Sequence, residues 1–210
     1  MYEFGLHTRL LVLTVATLGS AVSAHAQSRP YSGGTVTFVT QTNSTNLQPR
    51  GTAWGGSLLF GVSLSPRLSV EFEPNFVGSV DGEYTYSPTL STRAHVITRR
   101  RDTFFTVQLR TRTGFLEPVV GVSYLHGTAS RQATFVDSGT PYFDDRQSQD
   151  RLAVAGGIDA AVKLTSHFFF VPTFRTFVVV ARPSLQGPIG QQTSGGRFAF
   201  RYGAGVRIAF

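Results

Sequence analysis

The sequence predicts an all-β fold: an eight-stranded antiparallel up-and-down transmembrane barrel, preceded by a signal peptide. Three observations predict it. Residues 196–210 alternate between apolar side chains and Arg, Gly or Ala, as the two faces of a strand do. That run is longer than the strands of about 5 to 6 residues that are usual in soluble proteins. The connections between the predicted strands alternate between short turns and long loops.

The first residues predict a secretory signal peptide. Arg9 precedes an apolar run at positions 10–21, and Ala24-His25-Ala26 has the small-x-small form of a cleavage site. The run is too short for a transmembrane helix, which needs about 20 apolar residues. We therefore assign residues 1–26 to the signal peptide and residues 27–210 to one barrel domain.

The first four strands are predicted at 31–41, 54–64, 68 to about 79, and 102–112. In each of them apolar residues occupy every second position, with Thr, Ser, Gly or charged residues between them. Their apolar faces carry Val36 and Phe38; Leu58, Phe60 and Val62; Val70, Phe72 and Phe76; and Phe105, Val107 and Leu109.

The last four strands are predicted at 118–135, 151–164, 168–181 and 196–210. The seventh is apolar on both faces apart from Arg175 and two threonines, and the other three alternate. Their apolar faces carry Val120, Val122 and Tyr124; Leu152, Val154 and Ile158; and Phe198, Phe200, Tyr202 and Val206.

The connections follow one rhythm. Turns of about three to five residues follow the second, fourth and sixth strands, and longer loops follow the others, as in barrels with short periplasmic turns and long external loops. The long loops are predicted at 43–52, 80–101, 137–150 and 182–195, with the strands able to extend into 80–101 above the membrane. Proline donates no hydrogen bond to a ladder, so Pro74 and Pro172 predict local breaks in pairing.

The last strand carries a recognisable motif. Gly203, Gly205, Ile208 and Phe210 fit the spacing small-x-Gly-x-x-apolar-x-aromatic at the chain terminus. In this the sequence resembles the bacterial outer-membrane β-barrel family, and nearly all of the mature chain resembles its small OmpA-like and OmpX-like members. The resemblance implies a Gram-negative outer-membrane location and an assembly signal, formed by Gly205, Ile208 and Phe210, for the barrel assembly machinery.

Alternation alone does not decide which face points inward. A soluble lipocalin-like barrel would enclose its apolar face around a small ligand. The long strands, the small residues on the other face and the terminal Phe favour a membrane barrel instead. Its lumen would hold a charged network that interlocks as a plug, with Glu71 beside Arg110. We predict the members Glu71, Glu73, Arg110, Arg112, Asp159, Lys163, Arg175 and Arg201, with Arg197 and Arg207 on the same face, all within the lumen or at its rims.

Composition narrows the partners. The chain has no cysteine and a formal charge of +7, carried almost entirely by arginine. Because the chain is exported, anionic lipid head groups are a more natural partner than nucleic acid. Arg99, Arg100 and Arg101 at the outer rim form a predicted lipopolysaccharide contact, since arginine forks match phosphate oxygens. The alternative is a solvated loop end.

Two further clusters bear on possible chemistry. Asp137, Asp144, Asp145 and Asp150 lack the fixed spacing of a calcium loop, so we expect a solvated external loop and no metal. Some small barrels are lipid A-modifying enzymes with a His-x-Ser pair near the outer rim. Here Thr128 holds the serine position after His126, with Ser130 beyond it, and we expect no carboxylate facing them on the sixth strand.

The predicted function is therefore that of a non-catalytic integral outer-membrane protein of the cell envelope. Its external loops would mediate interactions, and its lumen would be plugged. We expect a monomer with no cofactor and no catalytic residue. The alternatives are a porin-like narrow channel for small solutes and, less favoured, a lipid A-modifying barrel enzyme resembling a deacylase.

Overall fold

The computed structural model describes residues 29–41, 51–89, 92–181 and 198–210, and all regular structure in these ranges is strand. The predicted signal peptide, most of the first loop and the last loop lie outside them. No helix among the described residues is long and apolar enough to cross a membrane. The strands are β1 Pro30–Gln41, β2 Thr52–Ser63, β3 Leu68–Tyr86, β4 Ala94–Thr111, β5 Leu116–Phe135, β6 Pro141–Ala160, β7 Val162–Lys163, β8 Phe168–Ala181 and β9 Phe198–Ala209.

These strands form one antiparallel sheet that closes on itself. Strands β1 to β6 pair in chain order, β8 pairs with β9, and β9 pairs with β1. The ring closes because β6 also pairs with β8, while the two-residue β7 continues the line of β6. The described residues thus form the predicted eight-stranded up-and-down barrel.

The barrel is much taller on one side. Strands β3 to β6 contain 19, 18, 20 and 20 residues, whereas the four full strands of the other side contain 12 to 14. About 9 to 11 tilted residues suffice to cross a bilayer, so the excess projects beyond it. At this tall end Ala94, Val96 and Ala133 form a buried cluster with Tyr84, Phe135 and Phe143.

Two predicted loops are much shorter than assigned, and the expected extension of the strands into 80–101 is confirmed. Residues 79–86 pair with 94–101, and residues 141–150 pair with 126–134, so most of the loops assigned to 80–101 and 137–150 is strand. Their charged and hydroxylic residues hide the strand from a hydropathy pattern, because the outward face there meets water instead of lipid. The connection between β5 and β6 is reduced to residues 136–140, and Gly139 in it has a φ of 67°, a conformation that favours glycine.

The two predicted ladder breaks are confirmed. Pairing between β2 and β3 lapses between Ser57–Asn75 and Phe60–Phe72, at the level of Pro74. Pairing with β8 lapses between Asp159–Thr173 and Val162–Phe170, at the level of Pro172. Because proline has no N–H to donate, each interruption lies where a ladder hydrogen bond cannot form. The second interruption separates β7 from β6.

Burial decides the orientation of the two faces. Glu71 and Arg110 are 1% and 0% exposed inside the barrel, whereas Trp54 and Val122 are 72% and 62% exposed outside it. The outer surface carries a belt of exposed Val, Leu, Ile and aromatic side chains. Such a belt is the lipid-facing band of a membrane barrel. The lipocalin-like alternative, with its apolar face inside, is therefore excluded.

Candidate functional site

The lumen has a charged lower half. Among the described residues, four arginines and four carboxylates are buried there in mutual contact, so their formal charges cancel. They reach the lumen because each lies on the inward-pointing set of its strand. The members are Arg110, Arg175, Arg201, Arg207, Glu71, Glu73, Glu117 and Asp159.

Arg110 is the central cation of this network. Its Nε and Nη2 donate to the two carboxylate oxygens of Glu71 at 2.5 and 2.8 Å. Its Nη1 lies 2.8 Å from Oε2 of Glu117 and 2.5 Å from Oδ2 of Asp159. The predicted contact between Glu71 and Arg110 is therefore confirmed. One guanidinium joins carboxylates from β3, β5 and β6, which extends the contact across the lumen.

The other arginines complete the charge balance. Arg175 donates to both oxygens of Asp159, Arg201 lies 2.7 Å from Glu73, and Arg207 lies 2.7 Å from Glu117. Charge-assisted hydrogen bonds of this kind are stronger than neutral ones. Every carboxylate of the lower half thus contacts at least one guanidinium.

Neutral polar groups bridge the charged ones. Tyr31 donates to Glu71 at 2.5 Å, and Gln108 donates to Glu71 at 2.7 Å and accepts from Arg175 at 3.3 Å. A cavity of about 20 Å³ remains between Glu73, Arg110 and other lining residues. That volume is about the space of one water molecule.

An apolar layer lies above the network. The rings of Phe104 and Phe177 lie 4.9 Å apart between centroids, and both residues are at most 1% exposed. Arg201 sits over the Phe177 ring at 5.7 Å, which places the apolar layer directly against the charged one. The layer contains Val39, Ala53, Val77, Phe104, Leu125, Ala153, Ala155, Phe177, Val179 and Ala199. A second buried ion pair, Arg151 to Asp102 at 2.7 Å, lies above this layer, toward the tall end of the barrel.

The predicted lumen residues divide into three groups. The structure brings together Glu71, Glu73, Arg110, Asp159, Arg175 and Arg201 in the network. Arg112 lies at the rim, 5.3 Å from the centre of the Tyr31 ring. Lys163 pairs with Phe169, which pairs with the inward Arg207, so it keeps the inward parity of β6, but it is exposed at the rim and forms no ion pair with the described residues. Arg197 lies outside the described residues.

Sequence reasoning missed several lumen residues. Glu117 falls in a predicted turn, although it shares the inward parity of Val119, Gly121 and Ser123 and could have been found by extending that pattern. Arg207 was not missed: the alternation of the last strand predicts it on the lumen side, and its burial there is confirmed. Phe104 and Leu125 gave no signal, because an apolar residue next to a lipid-facing one breaks the expected alternation.

The closing seam explains the glycines of the terminal motif. Gly203 and Gly205 face Thr37 and Thr35 of β1. A Cβ atom added at Gly205 would lie 2.0 Å from the carbonyl oxygen of Gly34, and one at Gly203 would lie 2.2 Å from that of Val36. The backbones of β1 and β9 approach too closely there for larger residues. Phe210 follows β9 and is 69% exposed.

The run of three arginines is divided by the strand geometry. All three residues lie in β4 and not in a loop, so their side chains alternate between the faces. Arg100 turns inward and donates to Asp102 at 2.9 Å, whereas Arg99 and Arg101 are exposed. The hydrogen bonds from Arg99 to Asp81 raise the pKa of the Arg99 guanidinium. The predicted surface cluster therefore keeps two of its three members.

The acidic segment is also divided by its strand. Asp144 and Asp145 lie in β6 and point to opposite faces, with Asp145 inward at 3.9 Å from Arg131. No cluster of three or more metal-ligating side chains occurs in the part of the chain that the structure describes. The prediction of a solvated external loop is wrong for 141–150, because these residues pair with β5.

A carboxylate does face His126, contrary to the expectation from the sequence. His126 pairs with Asp150 in the ladder, and its Nδ1 lies 2.7 Å from Oδ1 of the aspartate on the outer face. Thr128 follows two residues later on the same face. Strand register, which a single sequence does not disclose, places Asp150 in the position of an orienting acid.

Several solved structures share this fold. A major outer membrane protein from Thermus thermophilus matches with a TM-score of 0.59 and 10% identity, over 88% of this chain and all of that one. OprG from Pseudomonas aeruginosa matches with a TM-score of 0.55 and 15% identity, over 89% and 97%. Ail of Yersinia pestis, in complex with the heparin analogue sucrose octasulfate, matches with a TM-score of 0.55 and 10% identity, over 88% and 100%.

These relationships appear at the level of structure. No family model and no curated protein sequence matches the chain. The shared fold is the small bacterial outer-membrane β-barrel, which agrees with the resemblance seen in the sequence. The fold and the apolar belt together define an integral membrane β-barrel of the outer-membrane type.

Proposed function

We propose that this protein is a non-conducting envelope barrel that acts through its projecting outer end. The observation that carries the proposal is the sequence of two filled levels inside the barrel, a charge-balanced ion-pair network below and a buried apolar layer above. An ion would have to displace paired guanidinium groups and then enter a dry layer, and both steps are costly in a low-dielectric interior. The tall side formed by β3 to β6 supplies the surface for external contacts.

Planar-bilayer recording tests this proposal. The refolded barrel is expected to give no unitary conductance steps in concentrated KCl, while a large porin inserted under the same conditions serves as the positive control. Variant Arg93→Gln, which changes an exposed residue before β4, is expected to be equally silent. Regular conductance steps from the unmodified protein would support the narrow-channel alternative and contradict the plug.

A second candidate function is favoured by one observation, the hydrogen bond between His126 and Asp150 beside Thr128. A nucleophilic hydrolase needs an imidazole that an acid orients and a hydroxyl within its reach, and here Thr128 lies two residues from His126 on the same strand face. The Thr128 hydroxyl would add to an acyl ester of lipid A while His126 takes its proton. The proton would then pass to the departing sugar hydroxyl, and water would release the fatty acid from threonine.

Mass spectrometry of lipid A decides between the two candidates. Loss of one acyl chain on expression of the protein, abolished by Thr128→Val and by Asp150→Asn, would support the hydrolase. Ser148→Ala is the matched control, because Ser148 is the ladder partner of Thr128 and has no role in the proposed reaction. Unchanged lipid A in cells that contain folded barrel supports the non-catalytic function.

A further inference from the structure

The outer face of the tall strands is organised in horizontal rows. Strand register aligns one outward residue from each of β3, β4, β5 and β6 in every row. The rows can be followed upward from the lipid belt. They read Pro74, Phe105, Tyr124, Leu152; then Phe76, Thr103, His126, Asp150; then Ser79, Arg101, Thr128, Ser148; then Asp81, Arg99, Ser130, Arg146.

The side chains change from apolar to cationic from one row to the next. The first is almost wholly apolar or aromatic, the second is mixed, and the third and fourth contain three arginines with hydroxyl groups between them. Successive rows lie about 7 Å apart along a strand, and less in height because the strands are tilted. Each head-group layer is about 5 to 8 Å thick. The arginine rows therefore lie at the level of the outer head groups, within reach of long side chains.

A groove of about 550 Å³ crosses these two rows. Arg99, Arg101 and Arg146 line it, together with Ser79, Thr128 and Ser130. A β-bulge in β3 between Phe76 and Ser79 shifts the register at its edge. The groove thus combines three guanidinium groups with hydroxyl donors on a rigid sheet.

The neighbouring acids are already engaged. Asp81 accepts both hydrogen bonds from Arg99, and Asp150 is bonded to His126. Asp144, one row above Arg146, accepts a hydrogen bond from Gln132. No carboxylate of the described residues lies within ion-pair distance of Arg101 or Arg146. The three arginines of the groove together with Asp81 therefore have a formal surplus of two positive charges. Arg101 on β4 and Arg146 on β6 hold this surplus on opposite sides of β5.

We propose that this groove binds a phosphate group of the phosphorylated glycolipid in the outer leaflet, with Arg101 and Arg146 as the principal ligands. The inference rests on the proposed location of the barrel in the outer membrane. Guanidinium forks match phosphate oxygens in two-point hydrogen bonds. Thr128 and Ser130, between the two arginines, supply further donors. Arg100 takes no part, because its side chain points into the barrel.

The lipid belt below the groove favours a glycolipid over free phosphate. Phe105, Tyr124 and Leu152 lie two rows below Arg101 and form an apolar surface continuous with the membrane band. A ligand with a phosphorylated sugar and acyl chains would contact both surfaces at once. A free phosphate would contact only the arginines and would lose the apolar part of the interaction.

Native mass spectrometry of the refolded barrel in detergent tests the proposal. The probes are bisphosphorylated lipid A, its fully dephosphorylated form, phosphatidylglycerol and inorganic phosphate. We expect the first to remain bound, and the double variant Arg101→Gln/Arg146→Gln to bind it at least about tenfold more weakly, because charge-assisted hydrogen bonds are lost. Arg93→Gln, at an exposed position before β4 and outside the groove, is expected to bind normally.

Three results would overturn the inference. They are equal binding of the dephosphorylated lipid, equal binding of phosphatidylglycerol, and unchanged lipid A binding by the double variant. Displacement of lipid A by millimolar inorganic phosphate would assign the site to free phosphate and also contradict it. Heat-modified mobility on gels checks that each variant is folded. A folded, silent barrel that binds no lipid A would refute this inference alone, whereas conductance would refute the proposed function.

Discussion

Arg110 and Glu71 are joined by two parallel hydrogen bonds although they are not opposite each other in the sheet. The ladder pairs Arg110 with Ser69 and Glu71 with Gln108, so the two charged residues are diagonal neighbours. Diagonal positions lie about 7 to 8 Å apart, within reach of long side chains. From that position the guanidinium of Arg110 can also reach Glu117 on the neighbouring strand β5 and Asp159 on β6.

Removing the central cation should be strongly destabilising. In Arg110→Met, Glu71 would lose its guanidinium and keep the neutral partners Tyr31 and Gln108. Glu117 and Asp159 would each keep another arginine, so Glu71 is the carboxylate left without a cation. An uncompensated buried charge costs about 3 to 5 kcal/mol. Urea unfolding in lipid vesicles, followed through Trp54 fluorescence, measures the loss.

The double variant Arg110→Met/Glu71→Gln isolates the electrostatic contribution. It restores the charge balance of the network, so we expect it to be more stable than Arg110→Met alone. Arg112→Met changes a rim arginine and should alter the unfolding free energy by less than about 1 kcal/mol. A double variant no more stable than Arg110→Met would contradict the charge-balance explanation.

Phe104 and Phe105 are adjacent phenylalanines on opposite faces, which makes them a matched pair. Phe104 is 0% exposed in the apolar layer inside the barrel, whereas Phe105 belongs to the lipid belt on the outer surface. Phe104→Ala leaves a cavity that protein atoms cannot fill, and we expect a loss of about 3 to 5 kcal/mol. Phe105→Ala leaves a gap that lipid chains can fill, so its loss should be clearly smaller. Equal losses in vesicle unfolding would contradict the assignment of the two faces.

Charge on the lipid face should be costly only within the belt. Val122 is 62% exposed on β5, and Val122→Arg should lower the unfolding free energy by about 2 to 4 kcal/mol if the residue lies near mid-bilayer. Thr128→Arg, on the same strand face in the arginine rows, should cost less than about 1 kcal/mol. Urea unfolding in vesicles measures both free energies. A larger loss for Thr128→Arg than for Val122→Arg would contradict the assigned position of the lipid belt.

The seam between β1 and β9 should be intolerant of side chains. Gly205→Ala places a methyl group against the Gly34 carbonyl, so we expect a marked fall in the fraction of barrel that folds into vesicles. Gly156→Ala is the control, since a Cβ there meets no atom within 4 Å. Heat-modified gel mobility gives the folded fraction. Similar yields for the two variants would show that close approach does not explain Gly205.

Period-two alternation determined much of this protein from the sequence alone. It predicted eight strands, their order, the lipid-facing residues such as Val122, and most of the inward charges, because each of these depends only on residues close together in the chain. The breaks at Pro74 and Pro172 followed from local chemistry in the same way. The extension of the strands into 80–101 was anticipated, but the strand at 141–150 was not, since a strand with water on its outer face shows no apolar alternation.

Contacts between distant residues were decided only by the tertiary structure. Arg207 meets Glu117 and Phe104 meets Phe177 because closing the ring brings β9 to β5 and β4 to β8 across the lumen. Strand register likewise placed Asp150 against His126 and Arg146 level with Arg99. A sequence fixes the face of each side chain through the local backbone, whereas its partner depends on how far each strand slides past the next as the ring closes.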